Sequence, residues 1–221
     1  MTRQTGYIPA LGVDWLTPLY DPVLKWVMQE DQFKCDLVQR SALQPGQRVL
    51  DLGCGTWTLT IMLKQAQPDA ILNGIDGHDQ VLTIARAKCA RASVEVDLTQ
   101  GMVFDLPYPN DLFDRAVTSL VVHHLTRSQK QRIFAEIFRV LCSGGELYMM
   151  DFGEPHTPLA GAIAQIMRRF EQVADNIDGL LPEFMRSVGF NSVKIYAHYM
   201  TIFGTLTLLG ARKPDWPDSV G

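Results

Sequence analysis

The sequence predicts an α/β fold, a mostly parallel sheet with helices on both faces that ends in an antiparallel hairpin. Three observations carry this reading. From residue 48 onward, short apolar strand segments alternate with helical periodicity. A glycine turn follows directly on the first strand segment. Two β-rich stretches close the chain, with too few residues between them for a parallel crossover.

Taken in order, the chain opens irregularly, with Pro9, Pro18 and Pro22. Helical spacing then runs from about Pro22 to Ala42 through Leu24, Val27, Met28, Leu37 and Val38, and Pro22 suits a first helical turn. Gln44-Pro45-Gly46-Gln47 reads as a turn. Arg48–Leu52 is a short buried strand, followed by glycines and a helix near 57–66. A second strand covers 70–76, a helix 79–91, and a weaker strand 94–100. A fourth strand lies within 113–122, before a helix over 128–140. Ser143-Gly144-Gly145 is a turn that introduces the apolar strand Glu146–Phe152. Beyond it, 158–176 looks helical, with Ile163, Ile166, Met167 and Phe170 on one stripe. A short helix near 180–188 ends at Gly189, and β stretches over 191–199 and 201–211 form the hairpin. The chain therefore divides into an N-terminal helical lid segment (1–45), a ligand-binding domain (46–213) and a tail (214–221).

Composition narrows the function. The 221 residues are 47% hydrophobic and 20% charged, ordinary for a folded domain. Twenty basic against twenty-four acidic side chains argue against a nucleic-acid partner, whose phosphates favour a basic surface. No apolar run reaches the roughly 18–20 residues of a membrane span, so no stable membrane insertion is expected. Pro9, Gly12, Asp14 and Pro18 interrupt any signal-peptide core, and the expectation is a soluble, cytoplasmic protein. Cys35, Cys54, Cys89 and Cys142 are scattered, which predicts reduced thiols and no metal site. Oligomeric state is not legible.

The most informative stretch is Val49-Leu50-Asp51-Leu52-Gly53-Cys54-Gly55-Thr56-Trp57. A strand enters a Gly-x-Gly turn at the edge where such sheets hold ligands, and glycines let a ligand approach the main chain. A dinucleotide site would want a further glycine where Thr58 stands. Asp51, directly before the turn, is awkward for a pyrophosphate and suits a cationic or zwitterionic ligand. Asp76 ends the second strand, where a carboxylate can accept both hydrogen bonds of a ribose diol. Two acids and two glycines together point to an adenosyl ligand carrying positive charge.

With Gly74-Ile75-Asp76, Leu106-Pro107-Tyr108, Phe113-Asp114 and Val122-His123-His124-Leu125, the turn makes residues 20–210 resemble class I S-adenosylmethionine-dependent methyltransferases. The pattern is similar to that of the small-molecule group that includes ubiquinone/menaquinone methyltransferases. The resemblance implies a Rossmann-like seven-stranded sheet, S-adenosyl-L-methionine as cofactor and a small-molecule acceptor. It implies cofactor contacts at Tyr20, Asp51, Gly53, Gly55, Asp76, Gly77, Met102, Val103 and Ser119. Two positions depart from the family: Trp57 stands where glycine is usual, and Met102 and Val103 stand where an acid often meets adenine. The indole could crowd the methionine end of the cofactor, pack outward, or roof the acceptor pocket.

Methyl transfer from a sulfonium needs alignment and a dry site, and a base where the acceptor carries a proton. His123 and His124, after the fourth strand, are the catalytic candidates, with a structural role the alternative for each. Tyr7, Trp15, Tyr20 and Trp26 could form an aromatic lid, and 167–181 is expected to complete the acceptor pocket. Lys34 and Arg40 read as solvated helix charges. The reaction expected is methyl transfer to a small apolar metabolite. The alternative is a catalytically degenerate binding or regulatory protein, suggested by Trp57 and Met102.

Overall fold

The computed structural model describes residues 30–92, 94–169 and 172–215. The lid candidates Tyr7, Trp15, Tyr20 and Trp26 lie outside the described residues, as does the first part of the leader helix. The described part of that helix, α1, spans Glu30–Ser41. There follow β1 (Arg48–Leu52), α2 (Thr58–Ala66), β2 (Ile71–Asp76), α3 (Asp79–Ala92), β3 (Asp97–Gln100) and β4 (Phe113–Ser119). A 3₁₀ turn at Val122–His124 leads to α4 (Arg127–Val140) and β5 (Leu141–Phe152). The chain continues through α5 (Pro158–Met167), α6 (Ala174–Ile177), α7 (Leu181–Ser187), β6 (Asn191–Thr201) and β7 (Gly204–Arg212).

These strands form one seven-stranded sheet in the order β3-β2-β1-β4-β5-β7-β6. The first five are parallel to their neighbours, while β7 runs antiparallel to both β5 and β6. The order reverses at β1, so β2 and β4 leave their carboxyl ends on either side of it and open a crevice there. The alternation inside β1 splits the core. Leu50 and Leu52 pack with Ile133, Phe134 and Ile137 of α4 and Phe184 of α7. Val49 faces the other way, to Phe33 and Leu37 of α1 and Leu59 and Leu63 of α2. Residues 133, 134, 137 and 140 of α4 are fully buried, the stripe that a 3.6-residue period places on one side. Thr126 and Gln129 close its N-terminus with a capping box, a device of about 1 kcal/mol.

Two sequence expectations change. The turn at Ser143-Gly144-Gly145 is a bulge inside a longer strand: β5 already pairs at Leu141, and the register shifts between Phe113 and Arg115 of β4. In α5 the expected apolar stripe is only partly buried. Ala160 and Ala164 are buried, Ile163 is half-buried and Met167 packs partly against the core, while Ile166 is exposed.

Candidate active site

The chain leaves β1 through Gly53 and Gly55, at φ of 65° and 54°. A side chain on Gly53 would overlap Val121 of the loop after β4, whereas one on Gly55 would meet only the Gly53 carbonyl, 3.8 Å away. The first glycine lets two loops pack together, and the second leaves open space above the turn. The Gly53 and Cys54 N–H groups donate to the Ile75 carbonyl at 2.8 and 3.1 Å, which ties the turn to β2. Asp76 completes this junction: Gly55 N–H donates to Oδ2 at 3.0 Å and His78 N–H to Oδ1 at 3.0 Å. The glycine turn and Asp76 thus occupy one crevice. Each carboxylate oxygen still has acceptor capacity for a further donor.

Asp51 lies under the turn and is 2% exposed. Burial pushes its carboxyl up to about 7, against the Thr60 hydroxyl that donates to it and the Lys34 ammonium, with the Asp76 charge adding to the rise. Lys34 is therefore not the solvated helix charge that the sequence suggests. It is buried on α1, where its charge acts on Asp51. Burial also raises the Cys54 thiol, with help from Asp51 and Asp76.

Trp57 settles differently from either obstructing or roofing the site. It adopts the left-handed conformation at φ 73°, a cost of about 1–2 kcal/mol for a side chain bearing Cβ. Its fully buried indole packs with Cys54, Leu82, Ala85 and Cys89 between α2, α3 and the sheet. A Cβ on Gly74 would lie 2.7 Å from its Cζ2, so β2 is glycine where the ring needs room. Near the end of β3, Met102 is half exposed and its Sδ would lie 3.3 Å from a Cβ on Gly77. Val103 turns its side chain into the main core, so its backbone is what it offers a ligand. Ser119 ends β4, with a buried hydroxyl that has no partner.

The other side of the crevice is organised by Asp151, near the end of β5 and fully buried. It accepts from the N–H groups of Val121 (3.1 Å), Val122 (2.7 Å) and Phe152 (2.8 Å). It also binds His123 Nδ1 at 2.9 Å and accepts from Asn176 Nδ2 at 3.2 Å. Burial pushes this carboxyl up, but the His123 charge and the donors outweigh it and hold it below the ordinary carboxylate range. An ionised carboxylate only accepts, so His123 Nδ1 carries the hydrogen and Nε2 is the basic nitrogen. His123 is buried edge-on against Phe152, 4.9 Å between ring centres. The His124 ring is exposed, 3.9 Å from that of His123.

The structure brings Asp51, Gly53, Gly55, Asp76, Gly77, Met102 and Ser119 to one edge of the sheet, with His123 and His124 on the loop after β4. Tyr20 lies outside the described residues. Sequence reading missed Asp151, Asn176 and Thr60. A single acid within the apolar run Leu147–Phe152 was the available signal, because a carboxylate in a buried strand must find several donors.

Comparison with known proteins finds methyltransferases. Residues 49–145 match the model of a family described as a methyltransferase domain. An uncharacterized methyltransferase of Synechocystis sp. is 34% identical over 57% of each chain. A demethylmenaquinone methyltransferase of Thermus thermophilus is 31% identical over 61% of this chain and 59% of its own. The chain thus spans less than two thirds of the length of these curated relatives. The solved structure of the S-adenosylmethionine-dependent methyltransferase SibL superposes with a TM-score of 0.71 at 19% identity, over 93% of this chain and 60% of that one. That likeness speaks for the fold alone.

Proposed function

We propose that this chain, which carries a class I methyltransferase domain resembling those of quinone methyltransferases, transfers a methyl group from S-adenosylmethionine to a small acceptor of quinol type. The observation that carries the reading is the bond from Gly55 N–H to Asp76, which makes the glycine turn and the ribose acid two walls of one crevice. The residues fit the cofactor. The turn is open above Gly55, Asp76 keeps acceptor capacity, the Ser119 hydroxyl awaits a partner, and Met102 offers an apolar face beside Gly77.

When bound, S-adenosylmethionine supplies an activated methyl group on a sulfonium. The chain's own part is to align and to move a proton. Asp76 accepts from the ribose hydroxyls. Asp51, with its charge tempered by Lys34, favours the ammonium end of the ligand through the turn. Asp151 fixes the His123 tautomer so that Nε2 takes the proton an acceptor releases, and the neighbouring exposed His124 is the second candidate. The loop after β4, together with α6, flanks the acceptor and keeps water out.

Titration calorimetry with S-adenosylhomocysteine tests the donor half, with micromolar binding expected. Methyl transfer from labelled donor to reduced naphthoquinols, read by mass spectrometry, tests the acceptor half. Absence of binding would remove the proposal. Binding without transfer to any naphthoquinol would remove the acceptor class.

A further inference from the structure

The acceptor side contains a buried amide of which only one half is used. Asn176, on α6, is 1% exposed. Its Nδ2 donates to Asp151 Oδ1 at 3.2 Å, and its own Oδ1 meets no donor. The orientation of the amide is fixed by chemistry. Turned over, it would set its carbonyl against a carboxylate, acceptor against acceptor. A buried carbonyl oxygen without a donor is a penalty that folds ordinarily avoid.

Position gives the orphan its meaning. Asp151 Oδ1 is shared by Asn176 and His123, so the amide and the imidazole converge on one atom. α6 is also held from outside. Asp175 accepts from Arg127 Nε at 2.9 Å and faces Lys130 Nζ at 3.6 Å, while the fully buried Lys130 donates to the Gln172 carbonyl. With Asp175 anchored beside the amide, and Gln172 just before α6 held by Lys130, Oδ1 is set in place before any ligand arrives.

We propose that Asn176 Oδ1 receives the O–H of a hydroxyl-bearing aromatic acceptor set beside His123, and so selects the reduced quinol over a quinone or an ether. A quinol brings the missing donor, whereas a quinone carbonyl or an ether oxygen brings another lone pair. Sites with a buried hydrogen-bonding group reject ligands that leave it unpaired. The assignment rests on the methyl-transfer reading above and names its acceptor class.

The test is anaerobic calorimetry on the full chain saturated with S-adenosylhomocysteine, with 1,4-dihydroxynaphthalene and 1,4-dimethoxynaphthalene as probes. Wild type is expected to bind the diol at least about 10-fold more tightly than the diether. Asn176→Leu, of similar volume, should abolish that preference while S-adenosylhomocysteine still binds. Asn176→Ser, which keeps an acceptor oxygen, should retain part of it and serves if the leucine variant melts below the assay temperature. Equal binding of the two probes by wild type, binding of neither, or full preference in Asn176→Leu would overturn the assignment and leave the donor reading standing. Failure of S-adenosylhomocysteine itself to bind would overturn both.

Discussion

Two aspartates of this molecule are equally buried and behave oppositely. Asp51, under the glycine turn, has the Thr60 hydroxyl as its hydrogen-bond donor, and burial raises its carboxyl to about 7. Asp151, at the end of β5, gathers three backbone N–H groups, His123 and Asn176, and is held below the ordinary range. Burial alone therefore does not set a carboxyl's charge; the neighbouring charges and donors decide whether it is overcome. The side of the crevice that holds the glycine turn is built from main chain and from groups with spare capacity, Asp76 and the Ser119 hydroxyl among them. The side around His123 is built from a saturated carboxylate that positions side chains, and it leaves the Asn176 Oδ1 without a donor.

The contrast is most severely tested by removing Asp151. Asp151→Ala strands a buried imidazole, an amide and three N–H groups, and should cost about 3–5 kcal/mol in urea unfolding. A loss comparable to that of a surface residue would show that the network does not hold the loop. Next comes the packing of Trp57. Trp57→Gly relieves a strained φ but empties an indole-sized space, for a net loss of about 2–4 kcal/mol. Gly74→Ala should be destabilising in wild type and less so in Trp57→Gly, where Cys54 Sγ and Cβ still stand 3.1 and 3.2 Å from the added Cβ, and a double-mutant cycle reads that coupling.

The third prediction concerns pH. A folded-state pKa near 7 for Asp51 lies above the unfolded value, so between about pH 4 and 7 the native state binds the extra proton. Stability should then fall as pH rises through that window, with a limiting slope of about 1.4 kcal/mol per pH unit from this group, and level above it. Asp51→Asn should flatten the decline. Asp151, with its folded value depressed, has the opposite sign: its contribution is present above the unfolded pKa near 3.9 and is lost as pH falls below it. Denaturant unfolding from pH 3 to 8 separates the two. The smallest expected effect is that of Ser119→Ala. Removing a buried hydroxyl with no partner should leave stability within about 1 kcal/mol of wild type or raise it, yet weaken S-adenosylhomocysteine binding several-fold in calorimetry. Unchanged affinity would take Ser119 out of the donor site.

Much of this was legible in the residues. The β-α alternation predicts the parallel strands, and the short link between the last two β stretches predicts their antiparallel pairing, because both are local rules of period and reach. Glycines before a helix and an acid at the tip of the next strand mark the crevice at the sheet edge: the backbone of the turn must take positive φ and leave room, and few residues allow it. Lys34 was misread because a single charge on an amphipathic helix gives no sign that Asp51 lies opposite. Trp57 was ambiguous because its space is made by Gly74 on another strand. Ile166 shares its stripe with the half-buried Met167 yet is exposed, because spacing reports which residues share a face and tertiary packing decides how much of that face is covered.

By itself, then, the chain determined its strands and its glycine turn, both set within a few neighbouring residues. Only the tertiary structure could bring Asp151, His123 and Asn176 to one point. They come from three separate elements, and the Asp151 carboxyl is held below its ordinary range by the His123 charge and the donors that the fold gathers around it once water is gone.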